Sequence, residues 1–136
     1  MTMEQSNFAI KTEVGIVRGR DAIYLESVEF DYSSNRIRFC GSFNPHLCSD
    51  IADSDEEVGF ELVFSGLLAL QMIELDFDMT DGVSSFDEVR DSEWLKRMKA
   101  KDHSAKVSES HRHFVLATYD DVFVIIADRY ELQLIH

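Results

Sequence analysis

The sequence predicts an α+β fold, predominantly antiparallel β, arranged as a sandwich or partly open barrel with one short helix around residues 92–99. Three observations lead there. Apolar residues recur with a period close to two over most of the 136 residues, the spacing of half-buried strands. One segment alone carries a helical stripe with a cap. Hydrophobic residues make up 45 % of the chain, with six glycines and one proline, a composition that suits a packed core and excludes disordered or collagen-like architectures. The length fits one domain over residues 1–136, large enough to bury a core without disulfides.

The elements follow in order. Phe8, Ile10, Thr12, Val14 and Ile16 alternate with Ala9, Lys11 and Glu13 and predict a first strand, closed by a turn at Gly15, Gly19 and Asp21. Tyr24, Glu26, Val28, Phe30 and Tyr32 predict one face of a second strand. A turn at Ser33 and Ser34 then sets Asp31 opposite Arg36, Glu29 opposite Arg38, Phe30 opposite Ile37 and Val28 opposite Phe39. Charges pair on one face and apolar groups on the other, and a slip of one residue spoils both. Residues 44–57 hold the single proline, Pro45, and read as an acidic loop.

Val58, Phe60, Leu62 and Phe64 alternate as a strand, with a turn or bulge signal at Ser65-Gly66. Residues 68–78 read as a further strand, although 67–72 also contain helix formers. Asp81-Gly82 ends it. Asp91 or Ser92 caps the helix, Trp94, Leu95 and Met98 form its apolar stripe, and Lys96, Arg97, Lys99 and Lys101 crowd its C-terminal end. The helix is expected to plug one end of the sheets. Residues 112–135 read as a three-stranded meander whose middle segment, 122–127, is apolar on both faces and therefore central.

Charge narrows the function. With 26 acidic and 13 basic side chains the net charge is −13, which argues against nucleic acid as a partner, because phosphate contacts need an excess of Lys and Arg. No apolar run reaches the roughly 20 residues of a membrane span, and residues 1–7 carry no export signal. The expectation is a cytoplasmic protein that meets no membrane, with Cys40 and Cys48 as reduced thiols.

The candidate site residues are carboxylates. If the 68–78 segment is a strand, Glu74, Asp76 and Asp78 share one face while Ile73, Leu75, Phe77 and Met79 point into the core. The second group is Asp50, Asp53, Asp55, Glu56 and Glu57, which lacks the spacing of a calcium loop. Together with Asp81, Asp87 and Glu88 these residues load the middle of the chain with negative charge. Such a field speeds association with a cationic protein. The bland reading is a solvated face that keeps the protein soluble. Tyr24, Tyr32, Phe43 and Tyr119 are candidate aromatic anchors.

Metal ligation is weakly signalled. His111 and His113 share a strand face, and His103, Glu109 or Asp120 could supply a third ligand, but a polar strand start explains the pair as well. Cys40, His46 and Cys48 lack a paired spacing for zinc. No cofactor, metal or catalytic motif is indicated: G-x-S-x-G, the phosphate-binding loop and H-E-x-x-H are all missing from the chain. The sequence therefore predicts a non-enzymatic, acidic protein-binding domain with a basic protein partner. The alternative is a small-ligand-binding domain or minor enzyme with a pocket near His111, His113, Tyr119 and Asp120.

The stretch from His113 to Leu132, preceded by Ser92-Glu93-Trp94-Leu95, carries a resemblance. It combines a strand opening on His-Phe, a Tyr-Asp turn, a Val-Ile-Ala-like strand and an aromatic-Glu-hydrophobic close. In this it resembles a group of small, acidic, uncharacterised bacterial proteins, some of which look like immunity proteins of toxin–immunity pairs. The resemblance covers roughly the last third of the chain and brings no catalytic residue. It implies a core-and-turn pattern and, as a role, inhibition of a toxin.

Overall fold

Residues 5–51, 55–78 and 82–135 are described by the computed structural model. Two antiparallel sheets pack face to face. One holds strands β1 (Ser6–Ala9), β6 (Phe86–Arg90), β7 (Arg112–Ala117), β8 (Asp121–Ala127) and β5 (Ala69–Glu74), in the spatial order β1-β6-β7-β8-β5. The other holds β2 (Ile23–Asp31), β3 (Arg36–Phe43), β4 (Val58–Ser65) and β9 (Arg129–Ile135), in chain order. The expected antiparallel sandwich is thus present, with one helix, α1 (Glu93–Lys101), and no closed barrel.

The β2–β3 hairpin keeps the predicted register: Asp31 faces Arg36, Glu29 faces Arg38, Phe30 faces Ile37 and Val28 faces Phe39. Arg38 joins Glu29 at 2.7 Å and Glu61 at 3.1 Å across three strands. The single continuous face expected for β2 is interrupted, because Glu26 forms a bulge between Leu25 and Ser27. The bulge swings the backbone toward Gly41, where a Cβ would overlap the Tyr24 carbonyl oxygen. Only glycine fits there.

Phenylalanines fill the space between the sheets. Phe39 meets Phe123 edge-on at 5.0 Å, Phe64 meets Phe114 at 5.2 Å, and Tyr130 meets Phe86 at 5.1 Å. These contacts stack β3 on β8, β4 on β7 and β9 on β6, leaving β2 above β5 at the remaining side. β8 is buried from Val122 to Ala127, as its two-sided apolar pattern predicts.

Three expectations are corrected, and one strand is added that the sequence reading does not contain. The first strand stops at Ala9, and Thr12 and Gly15 then exchange backbone hydrogen bonds around a tight turn with Gly15 at φ 84°. β6 was hidden in sequence because its buried Asp87 reads as polar. Residues 112–135 do not form a meander. β9 leaves β8 at Asp128 and pairs with β4 in the opposite sheet, since Leu132 and Leu134 need the inner face of that sheet. At the same corner Gly66 (φ 66°) lets β4 cross over to β5, and the Asp128 N–H donates to the Ser65 carbonyl at 2.9 Å. Finally, α1 plugs no core: none of its residues is fully buried, and Trp94 lies edge-on to His113 at the surface. Ser92 is its cap, accepting from the Leu95 N–H at 3.1 Å.

Candidate functional site

The predicted acidic strand ends early. β5 stops at Glu74, whose carboxylate accepts from the Asp76 N–H and caps a 3-10 turn over Leu75–Phe77. Residues 67–72 are therefore not helical, and Glu74, Asp76 and Asp78 do not share a strand face. Side-chain capping and like-charge repulsion both favour the turn over three aligned carboxylates. Phe77, expected in the core, is 74 % exposed, and Met79 falls outside the described residues.

The acidic loop is also dispersed. Asp50 lies 3.8 Å from Lys11, and Asp55 lies 2.9 Å from His46. Glu56 is exposed, and Asp53 falls outside the described residues. Glu57 approaches Ser42, at 3.3 Å, and Ser42 is the cross-strand partner of Tyr24. Asp87 adds nothing to a surface field. It is fully buried, and its carboxylate accepts from the Val83 and Ser84 N–H groups, the Ser84 hydroxyl and the Asn7 amide.

Two of the aromatic candidates meet. Tyr24 lies at the start of β2. Tyr119 sits in the β7–β8 turn, which Thr118 closes through its hydroxyl and backbone to Asp121. The Tyr119 N–H donates to the Ile23 carbonyl at 2.9 Å, tying this turn of one sheet to a strand of the other. The two rings stack at 5.3 Å, and the Arg20 guanidinium lies 5.1 Å from the Tyr119 ring. Burial, then Asp21, Tyr119 and Glu57, hold the Tyr24 phenol above its ordinary value. Phe43 is buried in the core and is no anchor, whereas Tyr32 stands exposed beyond the end of β2.

The tyrosine pair forms one wall of a cleft of about 270 Å³ between the β2 and β5 sides of the sandwich. Phe123 forms its floor, Met72 its opposite wall, and Glu26, Asp120 and Asp121 line it with carboxylates. Glu74 is the ladder partner of Asp121. One residue from each predicted acidic segment, Glu57 and Glu74, therefore lies beside the cleft, joined through residues that spacing did not nominate. Aromatic faces flanked by carboxylates suit a Lys or Arg side chain through cation–π and ion-pair contacts.

The histidines are engaged elsewhere. His111 is buried at the sheet corner; its Nε2–H donates to the Gly66 carbonyl, and its Nδ1 accepts from Ser108. His113 is buried, and its Nδ1 shares a hydrogen bond with the Ser92 hydroxyl at 2.7 Å. Burial pushes its imidazole down to about 4. The Ser92 oxygen already caps α1, so this pair fastens the helix to β7. Neither ring lines the cleft with Tyr119 and Asp120. Cys40 and Cys48 are free thiols, and burial pushes Cys48 up to about 11. Among the described residues no group of three His, Cys, Asp or Glu side chains could hold a metal ion, and no helix is long and apolar enough to cross a membrane.

No protein-family model, curated protein or solved structure matches the chain, so the fold and the cleft are what bear on its role.

Proposed function

We propose that this chain is a non-enzymatic, acidic protein-binding domain that holds a basic protein partner, acting as an immunity-type inhibitor of a toxin. One observation carries the reading: the stacked Tyr24–Tyr119 pair stands at an open cleft lined by Glu26, Asp120 and Asp121. Tyrosine anchors supply contact area at low entropic cost, and the surrounding carboxylates choose the sign of the partner. The net charge of −13 adds long-range attraction for a cationic protein. Toxins that act on nucleic acid are commonly basic, which makes an acidic inhibitor physically apt. The small-ligand alternative keeps Tyr119 and Asp120 but loses His111 and His113, whose nitrogens serve the fold.

The test is capture from native lysate of the source cell at low and high salt, with the wild type, Tyr119→Ala and the Glu26→Lys/Asp120→Lys pair as baits. The expected result is one basic protein held by the wild type, weakened at high salt and lost by both variants. That protein should be toxic when expressed alone and harmless beside this chain. Retention by both variants would place the interface elsewhere. Absence of a specific protein at either salt would turn attention to small ligands in the same cleft, screened by thermal shift.

A further inference from the structure

The sandwich is closed on one side and open on the other. Side chains that pair across a ladder share a face. Val28 and Phe30 pair with Phe39 and Ile37, which are fully buried between the sheets. In the opposite sheet Leu70 and Met72 pair with Ile125 and Phe123, which belong to the same core. All four partners of these buried residues therefore point into the interlayer space. Yet Val28 is 43 %, Phe30 50 %, Leu70 42 % and Met72 63 % exposed. The inner faces run one strand further on each sheet than the core that covers them. The result is an apolar slot between β2 and β5, continuous with the cleft at Val28 and Met72.

Both lips of the slot are edge strands in the sheets formed by the described residues. β2 is blunted by the Glu26 bulge and by Glu29 and Asp31. β5, with the sequence Ala-Leu-Gln-Met-Ile-Glu, has neither bulge nor proline and no charge before Glu74. Among the described residues no strand pairs with its outer edge, and its own sequence carries no device that stops a further strand from pairing. Its six residues offer a ladder of roughly 20 Å.

We infer that an extended segment of a basic partner adds to the free edge of β5, lays alternate apolar side chains into the slot against Val28 and Phe30, and ends that inward-facing row in Lys or Arg against Glu26, Asp120 and Asp121, Asp121 sharing the inner face with its ladder partner Glu74. Charge decides the occupant. A second copy brings the same −13 and the same carboxylates, and is repelled. A basic strand finds apolar walls along the slot and acids at its end. This rests on the reading of the cleft above and gives its binding mode.

The probe is a peptide of about nine residues, matching β2 in length, that alternates valine and threonine and carries lysine in place of the last two inward valines at one end; its control carries glutamate there. Both are titrated into the isotope-labelled full chain and followed by amide chemical shifts. The expected result is binding of the lysine peptide alone, with shifts at Leu70, Met72 and Glu74 and at Val28 and Phe30, and slowed exchange of the β5 amides. Met72→Lys and Val28→Lys should each weaken binding by about tenfold, as loss of an interface anchor does, without lowering the melting temperature. Leu70→Lys stands in for either variant that melts early. Shifts confined to Tyr24, Tyr119 and Asp120, with β5 unmoved, would overturn strand addition and leave the acidic cleft standing. Equal binding of both peptides along β5 would overturn the basic occupant while keeping the slot. Failure of both peptides to bind, or a concentration-dependent dimer that protects the β5 amides, would overturn the inference outright.

Discussion

His113 shows how one buried side chain can govern a helix. Its imidazole is neutral in the fold, because burial disfavours the cation. In the unfolded chain the ring titrates near 6.5. The unfolded state thus binds more protons between pH 6.5 and about 4, and stability falls as pH drops through that window. Above it the contribution is complete; below it the slope ends. Chemical denaturation from pH 7 to pH 4 should show a loss of about 2–3 kcal/mol in the wild type, most of which disappears in His113→Gln. An unchanged slope in the variant would assign the effect to carboxylates. Tyr24 and Tyr119 read in sequence only as candidate aromatic anchors, and nothing in their separation along the chain says that they stack. Asp87 was misread as surface charge. A carboxylate that accepts from two backbone N–H groups, a hydroxyl and an amide is as much a part of the fold as a phenylalanine.

At the scale of elements, local pattern succeeded where two neighbouring strands carry their own register. The Glu29–Arg38 and Phe30–Ile37 pairs needed only a short turn between them. It failed where a segment's partner lies far along the chain. β6 pairs with β1 and β7, and β9 with β4, so their identity depends on neighbours that sequence order does not supply. The stretch after Glu74 alternates well enough for a strand, yet a carboxylate cap turned it into a 3-10 turn. Helix α1 was recognised with its cap, and its place was mistaken. Because Trp94 only leans on His113 and is not fully buried, Trp94→Ala should cost about 1–2 kcal/mol, below the 3–5 kcal/mol of an aromatic removed from a core. Urea unfolding measures this directly, and a loss in the core range would restore the helix as a plug.

For the whole molecule, charge is the dominant long-range term. Twenty-six acids against thirteen bases leave a net −13 on 136 residues. Self-repulsion of this size opposes compaction, and salt screens it over about 10 Å at 0.1 M. The melting temperature at neutral pH should therefore rise by several degrees between 0.02 and 0.3 M sodium chloride. A fall over that range would mean that ion pairs such as Arg38 with Glu29 and Glu61 outweigh the repulsion. The same field bears on recognition, where added salt should weaken capture of a basic partner while it stabilises the chain. These opposite signs separate binding from folding in one salt series.

By itself the amino-acid sequence determined the β-rich class, the period-two core of β3 and β4, the two-sided apolar run of β8, the register of one hairpin, a helix with its cap narrowed to Asp91 or Ser92, and the sign of the molecule's charge. Each depends on residues close together in the chain or on composition alone. The tertiary structure decided the sheet each strand joins, the passage of β4 to β5 and of β8 to β9 between the sheets at the Gly66–Asp128 corner, the stacking of Tyr24 on Tyr119, and the uncovered slot between β2 and β5. Those features arise from packing two twisted sheets of unequal partners. Which inner-face residues are covered depends on where the opposite sheet ends, and a strand's own sequence carries no record of that.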